Sequence, residues 1–169
     1  MQPTVIKRRL VLMRHAKSDW EDPSLSDHDR PLNKRGRRAA PAMAEWLAEV
    51  DSVPDLVLSS TSLRTCETLD LMLPEWPSEP ETRYLKSLYL APAESILQAI
   101  RDDGNDAKTI LVLAHNPGMA HLVSCLTDKY MDMPTAAAAV FRVDIDDWQT
   151  PLDPDNVKLV QFMRPKALH

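Results

Sequence analysis

A chain of 169 residues with a formal net charge of −5 is long enough for one domain with a full core and too short for two. Hydrophobic residues make up 44% and charged residues 27%, as in ordinary globular proteins, and the acidic balance excludes nucleic-acid binding as the main task. Two cysteines, Cys66 and Cys125, exclude a disulfide scaffold, and no apolar run approaches membrane-spanning length. The N-terminus, Met1 to Arg9, lacks the apolar region and small-residue cleavage site of a signal peptide. The expectation is a single domain over residues 1–169, soluble in the cytoplasm, with no membrane partner.

Leu10-Val11-Leu12-Met13 reads as a buried parallel strand within residues 8–14 and delivers Arg14-His15 at its C-terminal end. In open α/β sheets that end is where ligands bind. Residues 16–33 form a polar loop with Pro23 and Pro31, too long for a plain connection and so a candidate site rim. Five acidic residues, Asp19, Glu21, Asp22, Asp27 and Asp29, lead there into Arg30, Lys34, Arg35, Arg37 and Arg38, an alternation typical of a solvated face. A helix follows from about Asn33 to Val50, with Ala40, Met43, Ala44, Leu47 and Val50 as its core stripe. Asp55 to Leu58 is the second strand, and Ser59-Ser60-Thr61-Ser62 supplies hydroxyls at a helix start, with Ser62 as N-cap and Arg64 in the first turn. That helix stops at Pro74.

Arg83 to Leu90 reads as a short third strand and a loop. Pro92 suits the first position of the next helix and Gly104 its C-terminal cap. Thr109 to Ala114 is the clearest buried strand in the chain and ends at His115. Asn116-Pro117 then reads as an N-cap and a first-turn proline of a helix reaching Leu126. Val140–Ile145 and Val157–Arg164 read as two strands joined by an acidic loop. The alternation of strands and helices argues a three-layer α/β/α domain on a largely parallel sheet.

Three strand ends thus present polar groups to one edge: Arg14-His15, the serine cluster with Arg64, and His115. Parallel strands end on the same side, so these groups converge though distant in sequence. Free N–H groups at helix starts favour an anion there. An imidazole with a pKa of about 6.5 is largely neutral near pH 7 and can act as a nucleophile. Arginine stays charged and matches phosphate oxygens with a planar fork. Two arginines, two histidines and helix N-termini describe a phosphate site.

The same residues carry a family resemblance. Arg14-His15 after an apolar strand resembles the signature of the histidine phosphatase superfamily, with its phosphoglycerate-mutase-like fold. Arg30-Pro31-Leu32-Asn33-Lys34-Arg35-Gly36 resembles its R-P-L-T-x-x-G loop. The stretch from Ser59 to Thr68, with Arg64 inside, is similar to S-S-x-x-x-R-x-x-x-T, and Leu113-Ala114-His115-Asn116-Pro117 to the second-histidine motif. Short length, Ala16-Lys17-Ser18-Asp19-Trp20 and Leu88-Tyr89-Leu90-Ala91 resemble SixA-type phosphohistidine phosphatases within the superfamily.

The resemblance implies a mixed, mostly parallel six-stranded sheet in the order 3-2-4-1-5-6 with strand five antiparallel. It implies a hydrolase in which His15 attacks phosphorus and carries the phosphoryl group covalently, while Arg14, Arg64 and His115 hold its oxygens. Arg30 and Ser59 are further substrate-binding candidates, and no cofactor or metal is implied. The implied partner is a phosphorylated protein bearing a phosphotransfer-type phosphohistidine. The alternatives are a small-molecule phosphomonoesterase or pyrophosphatase of the same fold, and a non-catalytic module that binds a phospho-ligand.

Two departures stand out. Ala16 occupies a position where most of the superfamily has Gly. Around Arg83 to Ala91 there is no Glu to protonate a leaving group, which leaves Asp19 and Glu21 as proton-donor candidates. Missing the acid favours P–N over P–O substrates, because imidazole leaves more readily than an alkoxide. Competing chemistries fail on spacing. Neither cysteine has an arginine six residues on, Asp144-Ile145-Asp146 lies too near the C-terminus for an aspartyl-nucleophile fold, and three glycines provide no nucleotide loop. Thr135 fits a pocket rim or a plain turn, the four tryptophans read as packing or loop anchors, and His28 and His169 carry no signal.

Overall fold

Strands that are apolar on both faces belong in the middle of a sheet covered by helices on each side. In the computed structural model, which describes residues 7–168, the three such strands are central: β1 (Arg8–Arg14), β2 (Leu56–Ser60) and β4 (Thr109–Ala114). The sheet order is β3-β2-β4-β1-β5-β6, with β3 at Glu81–Leu85, β5 at Ala138–Val143 and β6 at Val157–Met163. β5 pairs antiparallel with both of its neighbours and the other pairings are parallel, as the family resemblance implies. Residues 1–6, within the segment read above for a signal peptide, and His169 lie outside the described residues.

Side-chain parity sorts the strands into two cores. Val11, Met13, Val57, Leu111 and Leu113 pack beneath α1 (Lys34–Glu49) and α2 (Leu63–Met72). Leu10, Leu12, Leu56, Leu58, Ile110 and Val112 pack beneath α3 (Ala93–Asp103) and α4 (Gly118–Thr127). At about 25 cal/mol per Å², these two apolar layers supply the dominant driving force for folding. The chain leaves β1 toward α1 on one face and leaves the neighbouring β4 toward α4 on the other. A crevice opens at such a switch, beyond the C-terminal ends of the two strands. Among the described residues, no helix is long and apolar enough to cross a membrane.

Local details differ from the sequence reading for physical reasons. Pro92 is the N-cap of α3, in extended conformation, and not its first helical residue. Gly104 does cap α3 but with φ −63°, so it does not serve as a left-handed turn; a Cβ there would lie 2.6 Å from the Trp148 Cβ. The third strand begins earlier than predicted, and Lys86–Leu88 turns as a 3-10 segment. β5 also begins earlier, at Ala138, because small buried alanines let it lie against β1. Pro117 is the N-cap of α4, after a cis Asn116–Pro117 bond, while the Asn116 side chain still accepts from the Ala120 N–H at 3.2 Å.

Candidate active site

The end of β1 is tied down on both sides. The His15 N–H donates to the Ala114 carbonyl at the tip of β4, and the His15 carbonyl accepts from the Ala136 N–H at 2.9 Å. The next peptide is held as firmly: the Ala16 N–H donates to Thr68 Oγ1, which donates in turn to the Arg64 carbonyl at 2.7 Å. Three sequence-distant segments therefore meet at His15 by way of the backbone. The His15 Nδ1–H donates to the Ala16 carbonyl at 2.7 Å, which leaves Nε2 as the unprotonated ring nitrogen.

The His15 and His115 rings lie 5.0 Å apart, with Arg64 bridging them. Arg64 Nε approaches His15 Nε2 at 3.4 Å, and Nη2 approaches His115 Nδ1 at 3.4 Å. A guanidinium only donates, so both facing ring nitrogens are acceptors. The His115 proton accordingly sits on Nε2 and is donated to Ser60 Oγ at 2.7 Å. Burial pushes His15 down to about 4, assisted by Arg64, Arg14 and Arg30 and opposed by its bond to Ala16. Burial likewise pushes His115 down to about 3, assisted by His15 and Arg64 and opposed by Asp27. Both imidazoles are neutral at pH 7.

The surrounding cations are held in place but left with free donors. Arg14 Nη1 donates to the Met133 carbonyl at 3.2 Å, while its buried Nε has no partner. Arg30 Nη2 donates to Ser18 Oγ at 3.1 Å, and its Nη1 is buried without a partner. Arg30 Nε lies 3.4 Å from Asp27 Oδ1, an ion-pair distance without a hydrogen bond aligned. Buried donors normally find partners, so free ones around a cavity mark room for an anion. The cavity measures about 340 Å³ and is lined by Arg14, His15, Arg30, Arg64, His115 and Asn116, with Asp27, Trp20 and Leu90 at its rim.

Arg14, His15, Arg30, Arg64 and His115 are thus brought together as the sequence predicts. Ser59 is not: it is fully buried, does not line the pocket, and its hydroxyl donates to the Ser60 carbonyl at 3.0 Å. Strand parity turns the next residue, Ser60, toward His115 instead. Asp19 and Glu21 do not line the pocket either; Asp19 Oδ1 accepts from the Glu21 N–H within the loop. The carboxylate that reaches the site is Asp27.

Asp27 binds Arg64 twice, through its carbonyl at 2.6 Å and its Oδ2 at 3.0 Å, and Oδ2 also accepts from the Tyr89 hydroxyl. Burial raises its pKa, but the bonds from Tyr89 and Arg64 and the charges of Arg64 and Arg30 outweigh that and hold it below the ordinary carboxylate range. Asp27 is therefore ionised and orients Arg64; it has no proton to give at pH 7. His28, which carries no signal in the sequence, accepts or donates at Thr61 Oγ1 and packs edge-on against Tyr89, which itself packs against His115. Trp20 is 75% exposed and lies over the Arg30 guanidinium, unlike Trp46, Trp76 and Trp148, which are buried. Among the described residues, no group of three His, Cys, Asp or Glu side chains could hold a metal.

Comparison with known proteins agrees with this geometry. Residues 10–85 match the model of the histidine phosphatase superfamily, branch 1. An uncharacterized chloroplastic protein of Arabidopsis thaliana is 35% identical over 155 residues, covering 86% of this chain and 71% of its own. An uncharacterized protein of Mycobacterium tuberculosis is 34% identical over 165 residues, covering 91% of this chain and all of its own. The crystal structure of an Agrobacterium tumefaciens protein, provisionally assigned as the phosphohistidine phosphatase SixA, superposes with a TM-score of 0.80. It is 26% identical and covers 94% of this chain and 98% of its own. With two facing imidazoles, a bridging arginine and this likeness, the chain belongs to the histidine phosphatase superfamily, in its SixA-type group.

Proposed function

We propose that the protein is a phosphatase that removes the phosphoryl group from protein phosphohistidine through a covalent intermediate on His15. One observation carries the reading: a neutral His15, its ring fixed by the Ala16 carbonyl, lines one cavity together with Arg14, Arg30, Arg64 and His115. His15 Nε2 attacks phosphorus as the P–N bond to the substrate imidazole breaks. Arg14, Arg30 and Arg64 neutralise the equatorial oxygens, the charge stabilisation on which phosphoryl transfer mainly depends. Burial holds His115 down with help from neighbouring positive charge, and a bound anion counters both by favouring the charged ring. His115 then gains a proton on Nδ1 and donates it to a phosphoryl oxygen. Water attacks the phosphoenzyme, releases inorganic phosphate and returns His15 to its neutral state.

The leaving group decides the substrate. With Asp27 ionised and no other carboxyl lining the cavity, the site offers no carboxylic acid to protonate an alkoxide leaving oxygen. A phosphohistidine ring carrying a proton on its far nitrogen departs as neutral imidazole, whose conjugate acid has a pKa of about 6.5. An alkoxide resembles hydroxide, and the pKa of bulk water is about 15.7. The site therefore suits P–N cleavage. The test compares phosphohistidine and phosphoserine peptides of one sequence, with acid quenching of labelled enzyme. Faster cleavage of phosphohistidine and an acid-labile label on His15 are expected. Equal rates on both peptides would overturn the substrate assignment in favour of a general phosphomonoesterase, and an unlabelled enzyme would overturn the covalent route.

A further inference from the structure

Beside the catalytic cavity lies a second groove of about 270 Å³, lined by Lys17, Arg35, Arg164 and Lys166 over a floor of Ala39, Pro134 and Pro165. Lys17 and Thr135 line both spaces, so the groove borders the site of chemistry. All four cations are exposed, and among the described residues none takes part in an ion pair. In a chain of net charge −5, such a cluster reverses the local field.

The fold assembles this cluster against electrostatic cost. α1 opens Lys34-Arg35-Gly36-Arg37-Arg38 with no acidic residue in its first turn, which sets cations at the positive end of the helix dipole. Gly36 packs so tightly on the Lys17 backbone that a Cβ would strike the Lys17 carbonyl, and the Asn33 N–H donates to that same carbonyl at 3.0 Å. Lys17 and Arg35 are thereby locked side by side. The C-terminal 3-10 turn at Pro165–Ala167 packs on α1 and brings Arg164 and Lys166 to the same place. Among the described residues no carboxylate pairs with these four charges, which leaves them open to an anionic ligand.

We propose that the groove docks an acidic segment of the protein whose phosphohistidine enters the catalytic cavity, an inference that rests on the substrate reading above. Long, exposed, mobile-tipped cations on an apolar floor suit carboxylates strung along a polypeptide.

The test uses two phosphohistidine peptides that differ only in flanking Glu or Gln, with free phosphohistidine as a groove-independent control. The wild-type protein is expected to favour the Glu peptide by about tenfold in kcat/KM at low salt, through KM, with the preference shrinking as salt rises. Arg164→Gln/Lys166→Gln removes the preference and leaves turnover of free phosphohistidine within twofold; Arg35→Gln, on a separate element, weakens it in the same direction. Equal kcat/KM for the two peptides, or a preference that survives both variants, overturns the docking groove while leaving the phosphatase reading intact. If neither peptide nor free phosphohistidine is hydrolysed, the phosphatase reading fails by itself. Fluorescence anisotropy of the labelled, unphosphorylated Glu peptide then judges the groove: salt-sensitive binding lost in the double variant supports it, and absence of such binding overturns it.

Discussion

The two ends of β1 carry the same residue type for opposite purposes. At the start of the strand, Arg8 donates to the Ala107 and Asp146 carbonyls at 2.7 and 2.9 Å, and its guanidinium lies 5.7 Å from the centre of the Trp148 ring. Arg9 beside it donates to the Val50 carbonyl and Ser52 Oγ. At the far end, Arg14 lines the catalytic cavity, spends one donor on the Met133 carbonyl and keeps a buried Nε without a partner. Arg8 also keeps one buried Nε without a partner, and the groove it lines mixes the cations Lys7 and Arg142 with the carboxylates Glu49 and Asp51, with no imidazole among them. Bonds to carbonyls from loops on the far side of the sheet make Arg8 and Arg9 part of the fold. A guanidinium half-used beside two imidazoles costs stability and waits for an anion.

Substitutions can break that contrast, and the largest effect belongs to the nucleophile. His15→Ala is expected to lower turnover on the order of 10⁵-fold and to abolish the acid-labile label; steady-state rates with quench labelling check it. Arg64→Ala removes the bridge between the imidazoles and is expected to cost about 3–4 kcal/mol of transition-state stabilisation, read from kcat/KM. Arg64→Lys should recover little, since a point charge cannot reach both imidazoles and Asp27 at once.

The pair Arg14→Ala and Arg8→Ala tests the two ends directly. Arg14→Ala should lower kcat/KM by about tenfold or more and leave Tm unchanged or slightly raised. Arg8→Ala should leave kcat/KM unchanged and cost about 2 kcal/mol of stability, roughly 4–8 °C in Tm. The reverse pattern would abolish the distinction.

Acid sharpens the same contrast. His15 and His115 titrate at about 4 and about 3 in the folded chain, below the ordinary value for an unfolded histidine, near 6.5. As pH falls, the unfolded chain therefore takes up protons first. The stability contributed by keeping these rings neutral is complete above about pH 6.5 and drains away toward pH 4. Melting curves between about pH 7.5 and pH 5 should show the decline, and His115→Gln should flatten part of it. The smallest effect is expected from Thr68→Val, which cuts the link between the Ala16 N–H and the Arg64 carbonyl and should cost about 1 kcal/mol in kcat/KM.

The α/β class and four of the site residues could be read from the chain because each rests on a strong local pattern, whereas the sheet order came only through the family resemblance. Apolar runs ended by Arg14-His15 and by His115 admit one placement at the sheet edge, and helix starts place Arg64. Ser59 against Ser60 could not be resolved that way. Leu56-Val57-Leu58 is apolar at every position, so the strand carries no alternation from which to tell which serine faces the site. Asp27 was hidden for a different reason: five carboxylates share one loop, and only the fold selects the one that meets Arg64 and Tyr89. Tyr89 comes from beyond the third strand, where periodicity is weakest, and Trp20 reads like its buried counterparts until its ring is seen over Arg30.

The carbonyl that steers His15 belongs to the main chain. In many imidazole-dependent enzymes a carboxylate does this work, and its own titration can spoil the orientation. A peptide oxygen has no proton to gain, so acid silences His15 only by protonating the ring itself. Side-chain exchange cannot delete the steering group either. Replacing Lys17 by its α-hydroxy acid counterpart would turn the Ala16 carbonyl into a weaker ester acceptor, loosening the ring while every side chain in the pocket stays as it was.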